Sequence, residues 1–230
     1  MPTLARPAPA PDSAFDDPRD ALLRQGAAVL GLSLDAAQRA QFARYAQLLA
    51  QWGEKINLTA LRDPQQVVVR HFLDSLALVR HLPAPVSAAP LRLVDVGSGA
   101  GFPGAVCALL RPELQVTLVE RISKKAAFLL ALRRELGLRY EVVCADAAQL
   151  GERFDLVVSR AALPLPRWLA LGSGLLAPGG ALLAMTSPSE PVPPPPPGCA
   201  QTLDVTYDVG AGPHRLLGWQ RPASPAAAAG

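Results

Sequence analysis

Apolar residues first recur with helical spacing at Phe42, Tyr45, Leu49 and Trp52, an i, i+3, i+7, i+10 stripe on a segment that Asp35 is placed to cap. A second helix is predicted from about Pro64, where proline suits a first turn, through Val67, His71, Leu78 and Val79. Together they predict a helical extension over residues 21–82, closed by a linker from Pro83 to Pro90. Beyond it, short apolar runs alternate with helical stretches, the pattern of a parallel sheet with crossover helices. Strands are expected near 91–96, 115–120, 140–144, 154–159 and 181–185, with helices near 103–110, 123–136 and 164–176. Gly137 stands where a helix would stop, and Pro178-Gly179-Gly180 reads as the turn into the fifth strand. Two further runs, 202–209 and 215–220, read as a closing antiparallel pair joined at Gly210 to Pro213. The predicted fold class is therefore α/β, Rossmann-like, with a mostly parallel seven-stranded sheet and an N-terminal helical extension.

Composition adds boundaries to this picture. At 230 residues the chain suits one large core with an extension, spanning residues 90–221 for the sheet domain. Residues 1–20 are rich in Ala and Pro, lack the features of a secretory signal, and are expected to be a disordered lead. Five consecutive prolines from Pro193 lie in a stretch, 188–198, expected to be an extended surface loop, and 222–230 a flexible tail. No apolar run reaches the roughly 18 residues needed to cross a bilayer, so no membrane association is expected. Cys107, Cys144 and Cys199 have no metal-ligand spacing, so no metal is expected, and scattered thiols fit a cytoplasmic location. The net charge of +3 permits nucleic-acid contact without demanding it.

The candidate chemistry begins where the first strand, Leu91 to Val96, runs into Gly97-Ser-Gly99-Ala-Gly101-Phe102. Such a turn brings backbone N–H groups and the positive end of a helix dipole toward a ligand, and glycine removes the Cβ that would block approach. Read from Gly99, the stretch matches the dinucleotide fingerprint G-x-G-x-x-G, but a dinucleotide loop starts directly off the strand. Counted from Gly97, the third glycine position holds Phe102. The better parse is Asp95-x-Gly97-x-Gly99-x-Gly101, in which Asp95 organises the loop or meets the amino-acid end of S-adenosylmethionine. Glu120 closes the second strand where a carboxylate can receive two ribose hydroxyls, which suits either cofactor. Asp146 is placed to reach an adenine edge with backbone at Ala147 and Ala148, and equally to cap a helix.

The residues resemble those of a family, the RsmG (GidB) methyltransferases that modify guanine N7 in bacterial 16S rRNA. The resemblance covers roughly residues 22–186 and rests on several motifs together: Trp52 with Asn57-Leu58-Thr59, Arg70-His71-Phe72-Leu73-Asp74-Ser75-Leu76, and Asp95 to Gly104. Glu120 through Lys124-Lys125 to Phe128-Leu129, and Ser159-Arg160-Ala161, complete it. The likeness implies a class I S-adenosylmethionine-dependent methyltransferase, with Gly97, Phe102, Ala147-Ala148 backbone and Arg160 contacting the methyl donor. It implies that Asn57, His71 and Asp74 border the reaction pocket, although His71 also reads as a hydrogen-bonded residue at a helix interface. Two departures stand out: Met185-Thr186-Ser187 replaces a family Leu-Lys-Gly, and His214-Arg215 replaces an Arg-His pair.

Guanine N7 attacks without losing a proton, so alignment matters more than a general base. Positive charge moves onto the purine during transfer, which makes Asp74 the candidate catalytic carboxylate. Arg160 is expected to orient the donor carboxylate or the base O6, or else to pair with Asp95 or Glu120. Phosphate contacts are expected from Lys124, Lys125, Arg133, Arg134, Arg62 and Arg70, with 16S rRNA or a small-subunit particle as partner and the chain acting as a monomer. Two other readings remain open: a nicotinamide-dependent oxidoreductase, and a ribosome-assembly factor with a vestigial donor pocket.

Overall fold

The computed structural model describes residues 17–61, 63–83, 90–160 and 163–223. Helix α1 (Pro18–Val29) opens the described chain, with Asp17 capping it and Pro18 in its first turn. The expected lead over 1–20 is thus shorter than anticipated at its inner end, while residues 1–16 lie outside the described residues. Helix α2 (Ala36–Gly53) starts at a reciprocal capping box between Asp35 and Gln38, and buries Phe42, Tyr45, Leu48 and Leu49.

The helix expected from Pro64 has three parts: α3 (Pro64–Val67), a π-helical stretch (Val68–Leu73) and α4 (Asp74–Arg80). The π-helical stretch carries Arg70 and His71, and Ser75 Oγ donates at 2.7 Å to the His71 carbonyl, which also accepts the Asp74 N–H. Residues 84–89 of the anticipated linker lie outside the described residues.

The sheet comprises β1 (Arg92–Val96), β2 (Gln115–Val119), β3 (Glu141–Val143), β4 (Phe154–Arg160), β5 (Leu176–Thr186), β6 (Ala200–Asp208) and β7 (Pro213–Gln220). Their order is β3-β2-β1-β4-β5-β7-β6, parallel except where β7 runs antiparallel to β5 and β6. Crossovers use α5 (Gly104–Leu110), α6 (Ser123–Leu136) and α7 (Leu165–Leu175). Alternation along the strands divides the core. Leu93, Leu118, Leu156 and Val158 pack with α5, α6 and the N-terminal helices, whereas Val94, Val119, Val157 and Leu182 pack with Trp168 and Leu169 of α7.

The fifth strand begins earlier than its sequence suggests. Leu176 already pairs with Phe154, and Pro178-Gly179-Gly180 forms an irregularity inside β5 rather than a turn before it, with Gly179 at φ +79°. β7 pairs with β5 without interruption from Ala181↔Gln220 to Thr186↔Arg215, so the proline-rich loop does not displace it.

Candidate active site

The strand order reverses at β1 and β4, and the carboxyl ends of these strands flank the crevice where open α/β sheets bind ligands. The loop leaving β1 places Gly97, Gly99 and Gly101 at φ +75°, +56° and +94°. A Cβ at Gly99 would meet only the Gly97 carbonyl, at 3.8 Å, and otherwise point into open space.

Three side chains hold this loop. Asp95 is fully buried, and its Oδ2 accepts the Gly104 N–H at 2.9 Å. Burial raises its pKa to about 6 against the opposing Gly104 hydrogen bond. Tyr45, on α2, donates its hydroxyl to the Ala100 carbonyl at 2.6 Å and stacks on Phe102 at 5.1 Å and 5°. Glu120 accepts Gly99 N–H at 2.9 Å through Oε2 and Ile122 N–H at 2.8 Å through Oε1.

A cavity of ≈ 400 Å³ lies against this loop, lined by Gly97, Gly99, Glu120, Lys125, Asp146, Ala147 and Arg160 among others. These residues suit S-adenosylmethionine. Glu120 still has lone pairs for two further donors, the number a ribose diol offers. Ala148 does not join them as anticipated, because its N–H is already donated to Asp146 Oδ1 at 2.9 Å, the cap of a short 3₁₀ turn. Asp95, Gly101 and Phe102 stand behind the cavity wall: Asp95 organises the loop, and Phe102 is 3% exposed within an aromatic stack.

A second, larger cleft of ≈ 1210 Å³ adjoins it, and Arg160 and Leu163 line both. Its walls include Thr59, Arg70, His71, Asp74, Thr186, Glu190 and His214. Arg160 donates through Nη1 to the Arg70 carbonyl at 2.8 Å and to Asp74 Oδ2 at 3.2 Å. The anticipated ion pair with Asp95 or Glu120 is instead made with Asp74, since Asp95 is sealed beneath the loop and Glu120 is turned to backbone N–H groups.

Arg160 Nη2 lies 3.0 Å from His71 Nδ1. The same Nδ1 also lies 3.0 Å from the Arg70 carbonyl, and Nε2 lies 2.8 Å from Thr59 Oγ1, so both ring nitrogens are engaged. Burial and the Arg160 charge lower the His71 pKa to about 4. The imidazole stacks on Phe102 at 4.6 Å and 24°, so a continuous column of rings joins α2, the glycine loop and the cleft.

Asp74 is 2% exposed. Burial by itself would raise its pKa, but hydrogen bonds from His214 and Tyr207 and the charge of Arg160 together lower it. Tyr207 had no signal in the sequence, because its meaning depends on a partner 133 residues away. His214 points into the cleft while its neighbour Arg215 pairs with Asp204, as alternation along β7 requires. Thr186, standing where the family carries lysine, is the strand partner of Arg215.

The anticipated RNA contacts do not form one patch. Lys124 is exposed and Lys125 half-buried at the start of α6, near the donor cavity, and exposed Arg70 borders the cleft. Arg133 and Arg134 lie at the far end of α6; Arg133 Nη1 bonds the Tyr140 carbonyl at 3.1 Å and lines a separate groove. Asn57 is exposed beside Leu58 and Thr59, which line the cleft, while Arg62 and Ala161 lie outside the described residues.

A family model described as GidB, rRNA small subunit methyltransferase G, matches residues 38–190. Ribosomal RNA small subunit methyltransferase G of Burkholderia ambifaria is 43% identical over 188 residues, 79% of this chain and 80% of that protein. The protein of the same name from Burkholderia cenocepacia is also 43% identical over 188 residues, with the same coverage. Among solved structures, magnesium protoporphyrin IX methyltransferase from Synechocystis, with bound SAM, aligns with a TM-score of 0.55 at 15% identity. It covers 82% of this chain and 98% of that one, a likeness of fold.

Proposed function

The chain belongs to the rRNA small subunit methyltransferase G (GidB) family, and from that premise we propose that it methylates N7 of a guanine in 16S rRNA, using S-adenosylmethionine. The observation that carries the reading is the meeting of the donor cavity with a larger cleft at Arg160 and Leu163. When bound, S-adenosylmethionine supplies a methyl group on a positively charged sulfur.

Within this reading, Gly97 and Gly99 admit the donor, Glu120 receives its ribose hydroxyls, and Asp146 with Ala147 borders the adenine. The target guanine enters the cleft between Thr59, His71, Asp74 and His214. N7 needs no deprotonation, which suits a cleft whose candidate bases are already engaged. Both nitrogens of His71 are within hydrogen-bond distance of partners, and Asp74 accepts from three side chains. Asp74 neutralises Arg160, so the purine gains positive charge beside an ion pair rather than a lone cation. Arg70 at the cleft and Lys124 and Lys125 beside the donor cavity hold phosphates, whereas Arg133 and Arg134 stand too far along α6 to share that task. No described helix is long and apolar enough to cross a membrane, in keeping with a cytoplasmic enzyme that meets small-subunit RNA.

The test is transfer of a labelled methyl group from S-adenosylmethionine to small-subunit particles and to free 16S rRNA, followed by mapping of the modified base. Label at a single guanine that becomes sensitive to N7-specific cleavage is expected. Label on another atom, or donor binding without transfer to either RNA form, would overturn the proposal.

A further inference from the structure

Asp74 is met from three directions. Arg160, at the end of β4, holds Oδ2, while Tyr207 on β6 donates its hydroxyl to Oδ1 at 2.6 Å and His214 Nδ1 on β7 lies 3.1 Å from the same oxygen. Tyr207 and His214 are directly paired across the antiparallel β6/β7 ladder, and their rings stack at 5.8 Å and 29°. Both therefore project from one face of the hairpin toward a carboxylate on α4. Leu216, Leu217 and Trp219 are fully buried residues of the hairpin, whereas Tyr207 and His214 are half-buried, Tyr207 packing its ring against the core while its hydroxyl reaches Asp74.

We propose that Tyr207 and His214 are positioning residues for methyl transfer: they fix Asp74 Oδ1, so that Oδ2 keeps the Arg160 guanidinium against Phe102 where the donor cavity meets the cleft. This rests on the reading of that junction as the methyl-transfer site. The physical argument is that one cation on Oδ2 leaves a carboxylate free to rotate, whereas two further donors on Oδ1 set its plane. A buried carboxylate oxygen without donors would also be costly. Arg160 lies 5.1 Å from the Phe102 ring centre and is also held by the Arg70 carbonyl and His71 Nδ1, so Asp74 is one of three anchors that set the guanidinium, and the one whose plane Tyr207 and His214 fix.

His214 adds a charge that pH controls. Its Nδ1 proton is held by Asp74, so titration takes place at Nε2, and the hydrogen bond survives while the charge in the cleft changes. The charged and titratable groups facing it are Asp74 on α4, Arg70 on the π-helical stretch, Arg160 on β4 and Tyr207 on β6, with Glu190 lining the same cleft. The hydrogen bond to Asp74 raises its pKa above the ordinary imidazole value of 6.5. Loss of the His214 charge removes a cation that opposes positive charge on the purine, so the transfer rate should rise with pH through the His214 transition.

The experiment combines single-turnover methyl transfer to saturating small-subunit particles with NMR titration of His214 in the free protein. Tyr207→Phe should slow transfer about tenfold while S-adenosylhomocysteine affinity stays within about threefold, because only the alignment is disturbed. His214→Asn, which keeps a neutral donor near the Nδ1 position, should lose the pH transition of the transfer rate. The NMR titration should show the Nδ1 proton retained throughout, with the His214 pKa falling in Asp74→Asn. A Tyr207→Phe/His214→Ala protein that binds S-adenosylhomocysteine and transfers methyl at the normal rate would overturn the inference. Wild-type protein inactive on every small-subunit RNA would instead overturn the functional reading, and the NMR titration would still decide whether the clamp exists.

Discussion

Two groups near the donor loop, the buried Asp95 and the half-buried His71, respond to acid in opposite ways. His71, with its pKa lowered to about 4, is neutral in the folded protein, so the unfolded chain binds more protons between its ordinary value of 6.5 and 4. Its contribution to stability is complete above 6.5 and is lost as pH falls through that window. Asp95, raised from 3.8 to about 6, binds its proton more readily when folded, so its contribution is present at low pH and is lost as pH rises through 6. The two slopes oppose one another between about 4 and 6. Asp95→Asn should therefore leave a protein whose denaturant stability falls on acidification over that range, and His71→Gln one whose stability rises; equal slopes in both variants would refute these assignments. Tyr45→Phe removes the hydroxyl from the buried Ala100 carbonyl, a loss of about 1 kcal/mol. If the loop carries that loss into donor binding, calorimetry should show S-adenosylhomocysteine affinity reduced about fivefold.

At the scale of elements, the strand-loop-helix unit β1-loop-α5 is held by close approach. A Cβ at Gly104 would come within 2.7 Å of Asp95 Cβ and would also collide with Leu118, both packed in the core. Gly104→Ala should thus cost about 1–3 kcal/mol by overpacking and weaken donor binding, measured by denaturation and calorimetry. Normal stability and affinity would mean that the loop yields more easily than its packing implies. Helix α1 illustrates the opposite case, an element with little pattern of its own. It buries only Leu23 and Ala27, and is held by docking onto the π-helical stretch, where a Cβ at Gly26 would overlap Leu73.

Across the whole molecule, the N-terminal helices touch the glycine loop through Tyr45 and the C-terminal hairpin touches α4 through Tyr207 and His214, so segments far apart in the chain meet around the site. Occupying the donor cavity should stabilise all of it together. At a ligand concentration of about 100 times Kd the gain is about 2.7 kcal/mol. For a chain of this size that corresponds to a rise in Tm of roughly 5–10 °C. S-adenosylhomocysteine should produce this shift and NAD should not; the reverse result would return the glycine loop to a dinucleotide.

The sequence by itself determined the elements whose signals are local. Alternating apolar runs marked the seven strands, Asp35 and Pro64 marked helix starts, and the spacing from Asp95 through Gly97 to Gly101 marked a methyl-donor loop, because each depends on residues within a turn or a strand of one another. The π-helical stretch, the early start of β5 at Leu176 and helix α1 were not legible, since backbone widening, bulging and docking answer to neighbours elsewhere in the chain. The same reason separates the site residues. Gly97, Gly99 and Glu120 could be assigned to one cavity from spacing, but the engagement of the Ala148 N–H, the distance of Arg133 from the cleft and the pairing of Arg160 with Asp74 required coordinates. Tyr207 and His214 meet Asp74 across more than half the chain, and only the closing of β6 and β7 onto the sheet brings a phenol and an imidazole to a carboxylate whose burial makes them necessary.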